Sequence, residues 1–353
     1  MKKVLLATTM LVAGASIAAA EVTLSGNGRM GIVGGGNDNV LTAQDESATA
    51  FTSRARVVFT LSGESDSGLS FGGSFRADNA AGAAAGTAGS VFISGAFGKL
   101  SMGDVDGAAQ MATGHVDGVG LTGLGDLNES TFVAAGGLNA VAQAFAAGTA
   151  NPNETGDPTL LYEYSAGDFT GYFSITNPAD ITNGATPALM SSNAEAIAIG
   201  AKYTFGDYTI GLGHEQLKGH IVPTGGAAAP ALPVVDNTNL KNTVVAVSGT
   251  VAGLTVKGVY GKASGTLAGQ NVVAPGFNGK QYALSASYTT GAITGTAFYA
   301  DDSGLRGLGG TAAYGIGASY DLGGGASVVG GIAQTKVNGP DSTNFDVGVS
   351  FSF

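Results

Sequence analysis

The sequence predicts an all-β protein, a transmembrane antiparallel β-barrel of 16 strands. Three observations predict it. Apolar residues alternate with small polar ones in segment after segment, and the connections between those segments alternate between short and long. Beyond the first twenty residues, no stretch is apolar for long enough to cross a membrane as a helix, although mean hydropathy is +0.23 and charged residues are only 12%.

The chain opens with MKKVLLATTMLVAGASIAAA, which joins Lys2 and Lys3 to an apolar run and ends in Ala18-x-Ala20 before Glu21. This pattern predicts a secretory signal peptide over residues 1–20 and a mature barrel over 21–353. The sequence contains no cysteine, so disulfides have no part in holding the exported fold together. Acids outnumber Lys plus Arg by 26 to 15, which argues against a nucleic-acid partner.

The first strand contains Gly26-x-Gly28-x-x-Gly31, the spacing of a dinucleotide-binding fingerprint, with Asp45 and Glu46 following. That site needs its third glycine to open a helix whose N-terminus holds the pyrophosphate. Here the run continues into Gly34-Gly35-Gly36-Asn37-Asp38-Asn39, which forbids a helix. Val22, Leu24, Met30 and Ile32 share one parity, with Thr23, Ser25, Asn27 and Arg29 on the other, so the glycines belong to a strand.

Later strands repeat the alternation. It runs through Leu69 to Ala77, Tyr208 to Leu212, Tyr282 to Tyr288, Tyr314 to Tyr320 and, without an error, Phe345 to Phe353. Many of the apolar faces end in Tyr or Phe, as aromatic girdles do at a lipid–water boundary. Short connections are expected at 63–68, 95–98, 166–168, 205–207, 251–253, 289–291 and 321–325. Long ones are expected at 34–50, 78–89, 104–158, 177–193, 216–241, 263–279, 301–310 and 335–341. Seven turns and eight loops join 16 strands, and closure leaves no backbone edge unpaired in lipid.

The segments EVTLSGNGRMG, TSRARVVFTLSGESDSGLSFGGSFRA, VFISGAFGKLSMGD, LLYEYSAGDF, YTFGDYTIGLG and YGIGASYDLGGGASVVGGIA resemble the trimeric general porins of Gram-negative bacteria, in their alphaproteobacterial (purple-bacterial) branch. The resemblance implies an outer-membrane homotrimer through which small hydrophilic solutes and ions diffuse passively. It implies outer-membrane lipid and lipopolysaccharide as surroundings and recognition of the terminal Phe353 by the barrel-assembly machinery. It also implies a third loop folded into the lumen, facing basic residues on the wall. Small residues of lipid-facing parity, Gly26, Gly28 and Gly73, would suit a wall that a neighbouring barrel approaches.

Both halves of such a constriction are present. Arg29, Arg54, Arg56 and Arg76 lie in the first three strands at polar parity, each about seven residues up from its strand end and so near mid-membrane. The 104–158 connection carries Asp104, Asp106, Asp117, Asp126, Glu129, Glu154 and Asp157 and no basic residue. Asp117, Asp126 and Glu129 are the acids expected to reach the wall, because Asp104 and Asp106 sit near the strand end. The Ala-rich stretch LNAVAQAFAAGTANPNETGDP within this loop could carry a short helix.

No enzyme is expected, and no cofactor. His115 and His220 read as loop residues and His214 as interfacial, with neither metal-site spacing nor a nucleophile beside them. Asp38, Asp45, Glu46, Asp301, Asp302 and Asp341 offer oxygen ligands for loop-bound Ca²⁺, though solvated charge is the simpler account. The alternative reading is an exported β-solenoid adhesin or surface-layer protein. It lacks the fixed repeat that solenoids require.

Overall fold

The structure is a computed structural model. It describes residues 21–36, 49–78, 89–133, 159–176, 190–223, 235–269, 272–304, 311–336 and 341–353. The predicted signal peptide, residues 37–48 with Asp38, Asp45 and Glu46, and residues 134–158 with Glu154, Asp157 and the Ala-rich stretch lie outside them.

Sixteen strands close into one antiparallel barrel in sequence order, with the first paired to the last. In the first half they are β1 (Glu21–Gly36), β2 (Ala50–Glu64), β3 (Ser70–Asp78), β4 (Ser90–Gly95), β5 (Gly98–Gly103), β6 (Thr159–Ala166), β7 (Phe169–Thr176) and β8 (Met190–Phe205). In the second half they are β9 (Tyr208–Pro223), β10 (Val235–Val251), β11 (Leu254–Gly269), β12 (Val272–Thr290), β13 (Ile293–Asp301), β14 (Ala312–Gly323), β15 (Ala326–Lys336) and β16 (Ser342–Ser352). A six-residue helix, α1 (Ala108–Thr113), and a 3-10 turn at Gly123–Gly125 follow β5.

All seven tight turns fall where the sequence places them. Glycines with positive φ make several of these reversals possible, including Gly167 at +60°, Gly206 at +57° and Gly291 at +57°. The long connections are shorter than expected in several places, residues 190–193 among them, which pair within β8. Residues 216–223 and 235–241 pair within β9 and β10, and most of 263–279 pairs within β11 and β12. His220, expected in a loop, therefore lies in β9 opposite Asn193 and Asp236. The ladder extends through bulges between Asp236 and Thr238 and between Gly265 and Leu267. The wall is consequently uneven in height: β4 and β5 have six residues each, β12 nineteen.

The outward parity carries the exposed apolar residues, among them Leu212, Val247, Leu284, Ile316 and Val347, as lipid contact requires. Gly26 and Gly28 share that parity but lie beneath the Phe353 ring, with the Phe351 ring also over Gly28. The inward parity is less uniformly polar than its Gly, Ser and Thr content suggests. Leu161, Tyr172, Ala196, Leu217 and Leu240 point inward and are buried with Ala108, Ala109 and Ala112 of α1. Val244, Val259, Ala283 and Phe298 are buried with Val116, Val119 and Leu124. The core of the protein is therefore formed between the β5–β6 connection and the inner wall.

Candidate functional site: the β5–β6 connection and the inner wall

The connection begins at Asp104 and first sets down α1. The seat is built from missing side chains. A Cβ on Gly200 would come within 2.3 Å of the Ala108 carbonyl oxygen, and one on Gly213 within 2.6 Å of the Ala109 Cα. Glycine on β8 and β9 lets the helix backbone lie directly on the sheet, and the Ser174 hydroxyl accepts the Ala108 amide at 2.8 Å.

Further along, the connection passes under β14, β15, β16 and β1. Gly317 and Gly331 make room for Val119 and Gly120, and Gly31 and Gly348 for the Leu121 side chain. Gly31 is the third glycine of the false fingerprint; its physical role is to leave space for Leu121. Asp346 of β16, 2% exposed, accepts the amides of Leu121 and Thr122 and the Thr122 hydroxyl at 2.7 to 2.8 Å. These charge-assisted bonds satisfy the buried carboxylate, which would otherwise be costly.

Other inward side chains do the same on the opposite side. Glu215 accepts the Val133 amide at 2.7 Å and an Asn242 amide hydrogen at 2.7 Å. Gln281 accepts from the Thr131 amide at 2.7 Å and donates to its carbonyl at 2.8 Å. Within the connection, His115 ties α1 to the later segment: its Nδ1 accepts the Ser130 amide at 2.9 Å, and its ring meets Phe132 edge to face. Burial depresses the His115 pKa, with Asp126 opposing the shift.

The four arginines form one contiguous group. Arg29 of β1 is directly opposite Arg54 of β2, and Arg56 follows Arg54 on the same face, opposite Asn27. Arg76 of β3 is opposite Val58, which places it diagonal to Arg56, and Asp78 is directly opposite Arg56. Asn27 accepts from Arg54 at 2.9 Å, and the Leu121 carbonyl accepts from Arg29 at 3.4 Å.

The loop acids divide into two sets. Asp117 turns to β11 and β12, where it pairs with Lys257 at 2.5 Å and accepts the Ser287 hydroxyl at 3.2 Å. It is thus engaged by a lysine rather than by the arginines. Asp104, Asp106, Asp126 and Glu129 lie close enough to act on one another. Burial raises the Asp106 pKa, helped by Asp104; burial also raises that of Glu129, helped by Asp126 and Asp106. Sequence reasoning missed Asp346, Glu215, Gln281 and Lys257. The available signal was a large polar side chain at inward parity among Gly, Ser and Ala.

Of the acids considered as Ca²⁺ ligands, Asp301 accepts the Tyr282 and Ser303 hydroxyls and Asp302 the Thr131 hydroxyl. Among the described residues no group of three or more His, Asp or Glu is arranged to hold a metal.

A closed antiparallel barrel, apolar outside and lined with charge inside, is the architecture of a membrane channel. The sequence profile described as Gram-negative porin matches residues 7–340. The chain belongs to the Gram-negative porin family. It is 35% identical over 342 residues to a porin of Rhodobacter capsulatus, covering 94% of this chain and all of that one. A solved porin structure superimposes with a TM-score of 0.67 at 32% identity, covering 94% of this chain and 100% of the other. An engineered Rh. blastica porin superimposes with a TM-score of 0.58 over the same shares at 21% identity, a likeness of fold alone. This porin is a general diffusion channel of the outer membrane, from a family of channels rather than enzymes.

Proposed function

We propose that the β5–β6 connection narrows the lumen and that solutes pass between its acids and the arginines of β1–β3. The observation that carries this reading is the set of contacts made by residues 108–133. They touch inward-pointing residues of β7 through β10, β12 and β14 through β1. One segment reaches the same face of strands so far apart on a closed ring by running across the interior.

The arginines then supply the basic side of a transverse field, and Asp104, Asp106, Asp126 and Glu129 the acidic side. Two unit charges about 8 Å apart in water interact by roughly 0.5 kcal/mol, less in salt. That orients a dipolar solute and biases ions without binding either, so passage is passive and graded by size and charge. The net charge of −11 favours a mild cation preference. The mature protein starts at Glu21 after signal cleavage, performs no catalysis, and assembles as a homotrimer.

Reversal potentials across a planar bilayer in a salt gradient test this. Arg54→Gln with Arg56→Gln is expected to move the cation-to-anion permeability ratio upward by about two- to fivefold, at roughly 0.5 kcal/mol per charge. An unchanged ratio would remove the arginines from the pathway while leaving the barrel intact.

A further inference from the structure

Eight lysines follow Glu21; Lys336 of β15 lies over the Tyr314 ring, and the other seven divide by parity and height. Lys99, Lys202 and Lys257 point inward near the turn end of the barrel. Lys218, Lys241, Lys262 and Lys280 point outward near the loop end, on the four consecutive strands β9 to β12. All four are exposed.

Register joins them into one row. Lys262 is directly opposite Lys280. Lys241 is opposite Ser264 and so diagonal to Lys262; Lys218 is opposite Asn239 and so diagonal to Lys241. Direct neighbours in such a ladder stand about 5 Å apart and diagonal ones about 7 to 8 Å, so the four ammonium groups repel. Glu195, opposite Lys218, and Asp301, opposite Tyr282, flank the row at its two ends. Asp301 already accepts the Tyr282 hydroxyl. In a chain with a net charge of −11, this is a concentrated patch of the opposite sign on the outer wall.

Its height is set by the aromatic belt. Tyr260, Tyr282, Tyr299 and Tyr314 form a continuous cross-strand run on β11 to β14. Lys262 and Lys280 lie two residues beyond Tyr260 and Tyr282, at headgroup level, while Leu212, Val245 and Leu284 lie below at acyl-chain level. Between the lysines, Asn239, Thr243 and Ser264 share the outward face and offer neutral hydrogen-bonding groups. Positive charge above, aromatic rings at the boundary and aliphatic surface below match an anionic amphiphile, not a free anion. Long connections face the cell exterior in such barrels, so the leaflet at this height is the outer one.

We propose that Lys218, Lys241, Lys262 and Lys280 form a binding site for the phosphate groups of lipopolysaccharide in the outer leaflet. The proposal rests on the orientation of the barrel and not on the constriction. A basic residue at an anionic membrane surface strengthens attraction about fivefold.

The test uses the mature protein in detergent, with bound lipid counted by native mass spectrometry. Bisphosphorylated lipid A is expected to remain bound to the wild type, and Lys262→Gln with Lys280→Gln to weaken retention by about tenfold or more. Lipid A stripped of phosphate is expected to bind the wild type as weakly as the variant. A heat-dependent gel shift verifies that the variant is a folded barrel, and Lys241→Gln serves as a second, milder variant. Equal lipid A retention by wild type and both variants would overturn the proposal. Displacement by inorganic phosphate at equal concentration would overturn it in favour of a free-anion site, and capture of a protein instead of lipid in favour of a protein contact. The readout is lipid binding, so an altered ion selectivity would bear on the constriction alone.

Discussion

Asp346 holds Thr122 twice, accepting both its amide and its hydroxyl on one carboxylate oxygen at 2.7 Å, while the other oxygen takes the Leu121 amide at 2.8 Å. One buried carboxylate on the last strand thereby fixes the middle of a connection that leaves the fifth strand more than 220 residues earlier. Gly120 completes the fit: its φ is +88°, and a Cβ there would lie 2.5 Å from Asp346 Oδ1.

Replacing this carboxylate should free the connection without opening the barrel. Hydrogen bonds to a charged group contribute about 1.5 to 3 kcal/mol each, so Asp346→Ala removes a large part of the local anchoring. The expected outcome is a noisier open-channel current and a larger solute limit in liposome swelling. The heat-dependent gel mobility of the barrel should be unchanged, because Asp346 contributes its backbone to the ladder whichever side chain it carries. Current noise and solute limit equal to the wild type would show that the apolar seats suffice.

A second prediction concerns those seats. Gly213→Ala brings a methyl group within 2.6 Å of the Ala109 Cα, backbone that cannot swing aside, and overpacking of this kind costs about 1 to 3 kcal/mol. Gly258→Ala, at outward parity on β11, meets nothing closer than 3.9 Å. Limited proteolysis within residues 108–133 should therefore accelerate in the first variant and stay at the wild-type rate in the second. Equal rates would mean that α1 accommodates the methyl group by sliding.

The raised pKa values of Asp106 and Glu129 set a pH dependence with a definite sign. Burial comes first among the causes, then the neighbouring acids, so both carboxyls take up protons at a higher pH than ordinary carboxyls do. The docked connection gains proton-linked stability from them that is fully present below their ordinary pKa and is lost as pH rises through the elevated one. Their negative charge disappears as pH falls through the same window, so cation preference should decline there. Asp106→Asn with Glu129→Gln should flatten that part of the profile, measured as reversal potential between about pH 7 and pH 4. A profile identical to the wild type would place these two acids outside the ion path.

The barrel was legible in the sequence because its rule is local. Each strand must alternate to face lipid and water, as Phe345 to Phe353 does, and each short turn needs small residues such as Gly206 or Gly291. The tops of β9 to β12 carry no strand signature in the sequence, because above the lipid the outward residues become Lys, Asn, Thr and Ser, and alternation in hydropathy fades while pairing continues. The arginine group was legible for the same local reason as the strands: parity and height follow from counting. The partners of the connection were not. Nothing near Thr122 in sequence points to Asp346, and α1, six residues beside Gly107 and Gly114, is too short to show a helical period.

His115 supplies the last prediction. Its Nδ1 accepts the Ser130 amide, so the neutral ring carries its proton on Nε2, 3.2 Å from the Gln110 side-chain amide. A ring donor at that place calls for an acceptor, which the Gln110 side chain supplies when its amide is turned to present Oε1. A second proton must go to Nδ1, where it meets the Ser130 N–H and breaks the tie between α1 and the segment after it. Because burial depresses this pKa, with Asp126 opposing, the tie is at full strength above the ordinary histidine value and is lost as pH falls through the lowered one. The expected result is current noise that rises as pH falls from about 7 to 5, opposite in sense to the stabilisation from Asp106 and Glu129. His115→Asn keeps an acceptor for the Ser130 amide but cannot titrate, so its noise should stay level across that range. Noise that rises equally in this variant would show that protonation of His115 is not what loosens the connection, since protonation of Asp106 and Glu129 acts in the opposite sense.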